Sequence, residues 1–506
     1  MKRIKCDMMF FPNLEDVKKI AENKEYKRIP ISYELFSDMG TPIEVLRILK
    51  SVSRHTYMLE SVEDSQKWGR YSFLGYDPLL EFTCQNGTVT IKGDKDFNEL
   101  TDDEVVIETD NPRNIIKDLV EKNKSPKLEG LPPFTGGFVG YFAYDYIKYA
   151  EPSLNLDAEN QDQFKDIDLM LFDKVIAFDN FKQKIIIIIN IKTDDLESNY
   201  EKACSELIEI ADLIKNGKKA EVEALELKSD FKPAFSRERY CNMVDKAKDY
   251  IREGDIFQVV LSNRIEADIS GSLFDTYRVL RTTNPSPYMF YFSSNDIEIA
   301  GASPETLVKL TGNKLYTFPL AGTRPRGKTE KEDLELEEEL LADEKELAEH
   351  NMLVDLGRND IGRIAEIGSV SVDKYLSIER FSHVMHIGST VTGTLRSDLD
   401  SLAAIDSILP AGTLSGAPKI RACEIINELE NNKRGIYGGA IGYVDLSGNI
   451  DTCISIRIAF ARNNKVFIRS GAGIVADSVP DKEFEECLNK AAAVINALKI
   501  ADGGIE

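Results

Sequence analysis

The chain has 506 residues, of which 42% are hydrophobic and 29% are charged, and these are the proportions of a globular protein rather than a disordered or fibrous one. Its 63 Lys and Arg against 86 Asp and Glu give a net charge of −23, which disfavours binding to nucleic acid. The seven cysteines include no Cys-x-x-Cys pair, which favours reduced thiols in the cytoplasm. Met1 to Pro12 has no apolar signal-peptide core, and the run of five isoleucines, Ile185 to Ile189, is too short to span a membrane.

In the first part of the chain, two apolar runs separated by a polar turn predict a β-hairpin, Leu169 to Phe178 followed by Ile185 to Ile191. The consecutive isoleucines indicate a strand that is buried on both faces. Asn199 to Lys215 then has the periodicity of a helix. The charged segment 216–234 is the predicted linker between an amino-terminal region, 1–215, and a carboxy-terminal region, 235–506.

The carboxy-terminal region mixes strand-like runs with long helical patterns. Strands are predicted at Phe257 to Leu261, Tyr288 to Phe292 and Val466 to Arg469, and helices at Lys331 to Leu356 and Asp481 to Leu498. Because strands and helices do not alternate regularly, a doubly wound parallel sheet is disfavoured. The predicted fold class is α+β with antiparallel sheets.

One segment matches the P-loop of nucleotide hydrolases: Gly322 to Thr329 reads Gly-Thr-Arg-Pro-Arg-Gly-Lys-Thr. A P-loop cradles phosphates with successive backbone N–H groups, and Pro325 has none to offer. The turn that follows is acidic and would repel a triphosphate. A P-loop hydrolase is therefore a disfavoured alternative.

Two predicted helices each carry a pair of glutamates three residues apart, Glu346 with Glu349 and Glu483 with Glu486. This spacing places both carboxylates of a pair on one helix face. Acidic helix faces are usually just solvated, but two such faces can also enclose an oxygen-ligated dication such as Mg²⁺. Two neighbouring features favour the metal site. An apolar segment follows Glu349 directly, and the second pair follows the glycine-rich segment 471–473, whose backbone an anion can approach closely.

Over Phe235 to Leu498 the chain resembles the chorismate-utilising enzymes. The motifs that carry the resemblance occur in order and are Gly301 to Glu305, Pro319 to Gly327, Glu349 to Asp360, Val384 to Ser389, Leu409 to Lys419 and Gly471 to Gly473. The second motif also accounts for the P-loop match. The resemblance implies an α+β fold in which antiparallel sheets pack as a sandwich with flanking helices.

The resemblance also implies the ligands of a metal and of a substrate. Glu349 and Glu486 would bind Mg²⁺ directly, with Glu346 and Glu483 acting through water, and the metal would take a carboxylate of chorismate. This cation would make an acidic pocket attractive to an anion. The other substrate-binding residues implied are Tyr437, Arg457, Lys490, the amides of Gly471, Ala472 and Gly473, and the site-lining Gly322 and Thr323.

For catalysis, the resemblance implies that Glu305 is the general acid that protonates the departing C4 hydroxyl, a role that requires a raised pKa. His386 would steady the ring and its developing charge, with Thr413 nearby.

Two positions narrow the reaction within the family. Gln258 stands where members that use water have a lysine base, and glutamine cannot activate water, which fits ammonia as the nucleophile. Ala321 stands where aminodeoxychorismate synthases typically have a lysine, so no amine is available for a covalent intermediate. The resemblance thus implies an enzyme that converts chorismate and ammonia to anthranilate and pyruvate, the first committed step of tryptophan biosynthesis. An aminodeoxychorismate synthase is the alternative.

The amino-terminal region resembles the regulatory part of the family. Tyr57 to Ser61 and Trp68 to Phe73 are similar to its tryptophan feedback motif, and Asn284 to Phe290 would be the partner segment. The residues implied to bind tryptophan, as an inhibitor, are Ser61, Pro287, Tyr288 and Met289. Because these come from opposite halves of the chain, a ligand that touches both could bias how the halves sit against each other.

The source of ammonia is expected to be a separate glutamine amidotransferase subunit, because the sequence contains no amidotransferase domain and no cysteine in a nucleophile elbow. A catalytically silent tryptophan sensor is an alternative of a different class. It is disfavoured by the joint presence of Glu305, His386, Glu349 and Glu486.

Overall fold

The structure is a computed structural model that describes residues 10–61, 69–93, 104–380 and 384–505. The helices are α1 (Leu14–Ala21), α2 (Pro42–Val52), α3 (Pro112–Glu121), α4 (Ile147–Ala150), α5 (Leu196–Asn216), α6 (Arg237–Glu253), α7 (Phe274–Thr283), α8 (Glu330–Ala342), α9 (Glu344–Gly362), α10 (Ala403–Ile408), α11 (Lys419–Glu430) and α12 (Pro480–Ala501). The strands are β1 (Phe10–Phe11), β2 (Arg28–Phe36), β3 (Thr56–Glu60), β4 (Tyr71–Tyr76), β5 (Leu80–Gln85), β6 (Thr88–Gly93), β7 (Glu104–Glu108), β8 (Gly137–Phe142), β9 (Ile167–Phe172), β10 (Lys174–Asp179), β11 (Lys184–Lys192), β12 (Glu226–Leu227), β13 (Lys232–Pro233), β14 (Gln258–Ser270), β15 (Tyr288–Ser293), β16 (Glu298–Ser303), β17 (Thr306–Thr311), β18 (Lys314–Thr317), β19 (Leu320–Pro325), β20 (Ser371–Arg380), β21 (Val384–Thr394), β22 (Gly416–Ala417), β23 (Ala440–Asp445), β24 (Ile450–Ile454), β25 (Ile458–Arg462) and β26 (Lys465–Ile474).

Two antiparallel sheets organise the molecule. The first has the order β1-β2-β11-β10-β4-β3-β15-β16-β25-β26-β14-β12, with β13 and β22 also paired to β14. The second has the order β19-β21-β18-β17-β24-β23-β8-β9-β5-β6-β7, with β20 also paired to β21. The predicted α+β class with antiparallel sheets is confirmed.

The core between the sheets is built from alternate residues of both. Ile186, Ile188 and Phe290 of the first sheet belong to the same buried cluster as Val139 and Ile441 of the second. The other three isoleucines of the β11 run, 185, 187 and 189, belong to a separate buried cluster, together with residues of α5. The strand is therefore buried on both faces, as its sequence predicts, and the sheets form a sandwich with helices on the outside.

The predicted boundary at 216–234 does not separate two independent units. The segment contains β12 and β13, which pair with β14. Both sheets take strands from both sides of it, as when β3 pairs with β15 in the register Glu60 to Met289. Local composition identifies a charged segment but carries no information about strand pairing between distant parts of the chain.

Two other predicted elements have different limits from those expected. The helix predicted over Lys331 to Leu356 is two helices, α8 and α9, because the Asp343 carboxylate caps α9 by accepting from the amides of Lys345 and Glu346 at 3.1 and 3.3 Å. The first run of the predicted hairpin, Leu169 to Phe178, is also two strands. Of these, β9 belongs to the second sheet and β10 to the first, where β10 forms the hairpin with β11.

The segment that matches a P-loop is not shaped to bind phosphate. The backbone amide of Gly327 donates to Asp333 Oδ1 at 2.6 Å, and that of Lys328 donates to Glu332 Oε2 at 2.7 Å. These amides are the groups that a P-loop directs at phosphate, and here carboxylates of α8 occupy them. Across the described ranges, no helix is long and apolar enough to cross a membrane.

Candidate active site

A cleft of about 920 Å³ brings together residues from distant parts of the carboxy-terminal region. The predicted site residues that line it are Thr323, His386, Arg457, Glu486 and Lys490. Strands β19 and β21 supply the first two, and helix α12 supplies the last two. The segment Asn284 to Pro287, expected to be only regulatory, also lines this cleft.

Glu305 lies between β16 and β17, next to Pro304 of the cleft wall. Thr413 Oγ1 donates to Glu305 Oε1 at 3.1 Å. Burial raises the pKa of Glu305 to about 7, although the hydrogen bond from Thr413 and the charges of Arg457 and Lys490 act to lower it. A large fraction of this carboxyl is therefore protonated at neutral pH, as a general acid requires.

Arg457 reaches the cleft from an unusual backbone conformation, with a φ of 52°. This left-handed region is uncommon for a residue with a side chain, and an arginine is held there only when the surrounding structure compensates for the strain. Burial lowers the pKa of Arg457, and the charge of Glu305 raises it. Arginine stays protonated in proteins, so the residue offers the cleft a planar cation suited to a carboxylate.

His386 is held by the bulged strand β19. Its Nδ1 lies 2.8 Å from the carbonyl oxygen of Gly322 and 3.1 Å from Thr323 Oγ1. Burial lowers the pKa of His386, so the neutral ring predominates, and the nearby carbonyl assigns the proton to Nδ1. Gly322 has a φ of 67°, and a Cβ there would lie 3.0 Å from Leu340 Cδ1 and 3.2 Å from Glu346 Oε2, so the bulge requires glycine.

The glycine-rich end of β26 lies against β14. A Cβ at Gly471 would be 2.6 Å from the Leu261 carbonyl oxygen and 3.1 Å from Tyr437 Oη, and one at Gly473 would be 2.6 Å from Gln258 Nε2. Tyr437 and Gln258 are both buried and lie close against this strand. Lys490 ties α12 to the same strand by donating to the Gly471 carbonyl at 3.2 Å.

The two glutamate pairs act on each other electrostatically. Burial, followed by the charge of Glu346, raises the pKa of Glu349, and the charge of Glu486 adds to this. Burial also raises the pKa of Glu483, with a further contribution from Glu486. Glu486 pairs with Lys490 at 2.7 Å.

These carboxylates do not form a closed metal cluster. Within the residues that the structure describes, no three His, Cys, Asp or Glu side chains are grouped as metal ligands. The chemistry of the donor set nevertheless fits Mg²⁺, which prefers carboxylate oxygen and is usually held by one or two carboxylates together with substrate groups. A dication would also relieve the repulsion that raises the pKa of Glu349 and of Glu483.

A second cavity has a volume of about 680 Å³ and is lined by all four residues predicted to bind tryptophan, Ser61, Pro287, Tyr288 and Met289. Glu60 and Met289 are direct partners in neighbouring strands of one sheet, so the two segments that would bind tryptophan are hydrogen-bonded neighbours. How a bound ligand shifts the two parts of the chain stays a prediction. Trp68, the first residue of the second feedback segment, lies outside the described residues.

The two cavities share a wall that the sequence does not reveal. Pro287 and Pro304 line both of them. Thr306, on the other side of Glu305, lines the second cavity and donates to Tyr288 Oη at 3.1 Å, and Tyr288 in turn donates to Asp451 Oδ1 at 2.8 Å. Residues on both sides of Glu305 are thus exposed to the contents of the second cavity.

Comparison with known proteins identifies the family. Residues 56–496 match the family of chorismate binding enzymes. The chain belongs to this family. Its relatives include proteins named anthranilate synthase component 1. The protein from Acetivibrio thermocellus is 45% identical, and the match covers 97% of this chain and 99% of the relative. The protein from Aquifex aeolicus is also 45% identical, and the match covers 97% of this chain and 98% of the relative.

Solved structures of chorismate-binding enzymes have the same fold. The crystal structure of anthranilate synthase component I from Streptococcus pneumoniae is 38% identical, with a TM-score of 0.72 over 86% of this chain and 93% of that one. The menaquinone-specific isochorismate synthase from Escherichia coli matches with a TM-score of 0.67 over 96% of this chain and 98% of that one, at 18% identity. The latter shows that the fold is shared.

Proposed function

We propose that the chain is the chorismate-converting component of an anthranilate synthase, and that it forms anthranilate and pyruvate from chorismate and ammonia. The name of its full-length relatives supports this activity. The observation that carries the proposal is the position of Glu305, a carboxyl whose pKa burial raises to about 7, within the electrostatic reach of Arg457 and Lys490 of the cleft. In this reaction ammonia adds at C2 as the C4 hydroxyl leaves as water, and loss of pyruvate then aromatises the ring.

In this proposal Glu305 gives its proton to the departing C4 hydroxyl, because this carboxyl lies next to Pro304 of the cleft wall and is partly protonated at neutral pH. The neutral ring of His386, fixed through Nδ1 by the Gly322 carbonyl, presents Nε2 to the substrate. Arg457, Lys490 and the backbone amides of the 471–473 strand hold the carboxylates of chorismate.

Mg²⁺ is the proposed cofactor. Glu349 and Glu486 would hold it directly, with Glu346 and Glu483 acting through water. When bound, Mg²⁺ would neutralise a substrate carboxylate and so admit an anion to an acidic site. The raised pKa values of Glu349 and Glu483 support this role, because burial and neighbouring carboxylates disfavour their ionised forms and a cation would offset both effects.

Two residues support ammonia as the nucleophile and argue for this branch of the family. The Gln258 amide cannot act as a base toward water, and it packs against Gly473. Ala321 is buried in β19 and has no amine that could attack the substrate. A glutamine amidotransferase partner would supply ammonia, and the relatives' name, component 1, is consistent with a second component.

Tryptophan is the proposed inhibitor, bound in the cavity of Ser61, Pro287, Tyr288 and Met289. The wall that this cavity shares with the cleft supports coupling between the two sites. Inhibition requires that the tryptophan-bound arrangement bind chorismate less well, with a coupling typically of about 1–3 kcal/mol. Reciprocity then requires that chorismate weaken tryptophan binding by the same factor.

The direct test is incubation of the chain with chorismate, Mg²⁺ and ammonium at alkaline pH, with anthranilate followed by fluorescence and pyruvate by a coupled assay. Equal amounts of both products are expected. An amino-chorismate product without pyruvate would instead indicate an aminodeoxychorismate synthase, and turnover that is independent of ammonium would exclude ammonia as the nucleophile. The matched control is the Glu305→Gln variant, which keeps the shape of the side chain but has no acidic proton.

A further inference from the structure

Arg434 contacts two separate parts of the active site, although its own side chain is buried away from the cleft. It follows α11 and is 2% exposed. Its Nη1 donates to the Leu414 carbonyl at 2.5 Å, and its Nη2 donates to the Val260 carbonyl at 2.7 Å. Its guanidinium carbon lies 5.8 Å from the centre of the Tyr437 ring.

Both carbonyls belong to backbone that carries site residues. Leu414 ends the short 3₁₀ turn Gly412–Leu414, whose middle residue, Thr413, donates to Glu305. Val260 pairs with Gly473 in the register of β14 and β26. One rigid, planar side chain therefore fixes the Thr413 turn and supports the glycine-rich strand at the same time.

The charge of Arg434 is compensated by Glu430, a carboxylate that it shares with a second arginine. Glu430 accepts from Arg434 Nη2 at 2.6 Å and from Arg469 Nη2 at 2.6 Å, and all three side chains are buried. The other donors of Arg469 go to Ser262 Oγ at 2.8 Å and to the Lys433 carbonyl at 3.0 Å. Arg469 is thus a natural control, with equal burial and the same carboxylate partner but different backbone contacts.

We propose that Arg434 is a positioning residue, which holds the Leu414 carbonyl and thereby keeps the Thr413 hydroxyl directed at the carboxyl of Glu305. The inference rests on the proposed role of Glu305 as the general acid. A hydroxyl that donates to a carboxylate stabilises the ionised form, so loss of this contact raises the pKa of Glu305. The charged groups that also act on Glu305 are Arg457 and Lys490, and both lower its pKa.

The test is the pH dependence of kcat in Arg434→Lys, measured with a constant concentration of unprotonated ammonia. Lysine keeps the charge opposite Glu430 but cannot reach both carbonyls with one ammonium group. Because turnover needs protonated Glu305, the alkaline limb of the profile should move upward by about one pH unit, the usual effect of one hydrogen bond to a charged group. Thr413→Val should produce the same shift, and the double variant should shift no further than either single variant.

Arg469→Lys is the matched control: its kcat can fall, but its alkaline limb should stay at the wild-type pH. The proposal is wrong if Arg434→Lys moves the limb no more than Arg469→Lys does, or if the shifts of Arg434→Lys and Thr413→Val add in the double variant. Should the lysine variants fail to fold, Arg434→Met and Arg469→Met replace them. Each of these leaves one arginine opposite Glu430, so no buried charge is unpaired.

A second readout does not depend on turnover. The carboxyl band of Glu305 can be titrated by infrared difference spectroscopy against Glu305→Gln, once in the wild-type background and once with Arg434→Lys. The midpoint should rise in the Arg434→Lys background, and an unchanged midpoint would overturn the proposal. A wild-type chain that makes no anthranilate would overturn the proposed function instead, so the two failures are distinguishable.

Discussion

Replacing Glu305 with glutamine should make the protein more stable at alkaline pH while it lowers the rate. The pKa of this carboxyl rises from 4.5 to about 7 on folding because the folded chain removes water from it. Its ionised form therefore destabilises the folded state, and glutamine, which carries no charge, does not.

The sign of the pH dependence follows from linkage. Below pH 4.5 Glu305 is protonated in both the folded and the unfolded chain, so wild type and variant should have similar stability. The stability of the wild type relative to Glu305→Gln should fall as the pH rises from 4.5 to about 7, and should stay constant above that. The shift corresponds to about 3 kcal/mol, and the partial exposure of the side chain to solvent reduces the expected difference to about 1–2 kcal/mol.

The assay is urea unfolding of both proteins at several pH values from 5 to 9, with the rate of anthranilate formation measured beside it. Glu366→Gln is the control, because its side chain is exposed and should show no such pH-dependent gain. The rate of Glu305→Gln should fall by about 10²- to 10⁴-fold, the usual contribution of a positioned general acid. A pH-independent stability difference would refute the raised pKa, and a nearly unchanged rate would move the acid role elsewhere, first to His386.

Three further predictions concern the metal, the nitrogen source and the inhibitor. Glu349→Gln and Glu486→Gln should each abolish Mg²⁺-dependent anthranilate formation and leave the circular dichroism spectrum unchanged. The control Glu344→Gln, exposed on the same helix as Glu349, should retain this activity. Near-wild-type rates in Glu349→Gln or Glu486→Gln at ordinary Mg²⁺ concentrations would refute the metal assignment. The isolated chain should use ammonium but not glutamine in the pyruvate assay, because none of its described cysteines is a suitable nucleophile for glutamine. They are buried except Cys241, and burial and the charge of Asp481 raise the pKa of the Cys241 thiol. Robust glutamine-dependent turnover would contradict this prediction. Ser61→Phe should relieve inhibition by tryptophan while anthranilate is still formed. Calorimetry of the wild-type chain should find weaker tryptophan binding when chorismate and Mg²⁺ are present. Equal affinities with and without chorismate, in a chain that tryptophan does inhibit, would rule out antagonism between the two sites.

The sequence alone determined those features that depend on local pattern and on sterics. Five consecutive isoleucines specify a strand buried on both faces, because alternate side chains point to opposite sides. Glutamates at i, i+3 spacing share a helix face whatever the rest of the fold. Pro325, which lacks an N–H, was enough to disfavour the P-loop, and the structure adds that neighbouring carboxylates occupy the loop amides.

Only the tertiary structure decided how the site works, because its decisive contacts join residues that are far apart in the chain. Burial raises the pKa of Glu305, and a hydrogen bond from Thr413, which is 108 positions away, acts to lower it. The helix break at Asp343 was hidden by a helical periodicity that continues on both sides of a capping residue. The pairing of strands from both sides of 216–234 also had to come from the structure, because hydrogen bonding between distant strands leaves no trace in local composition.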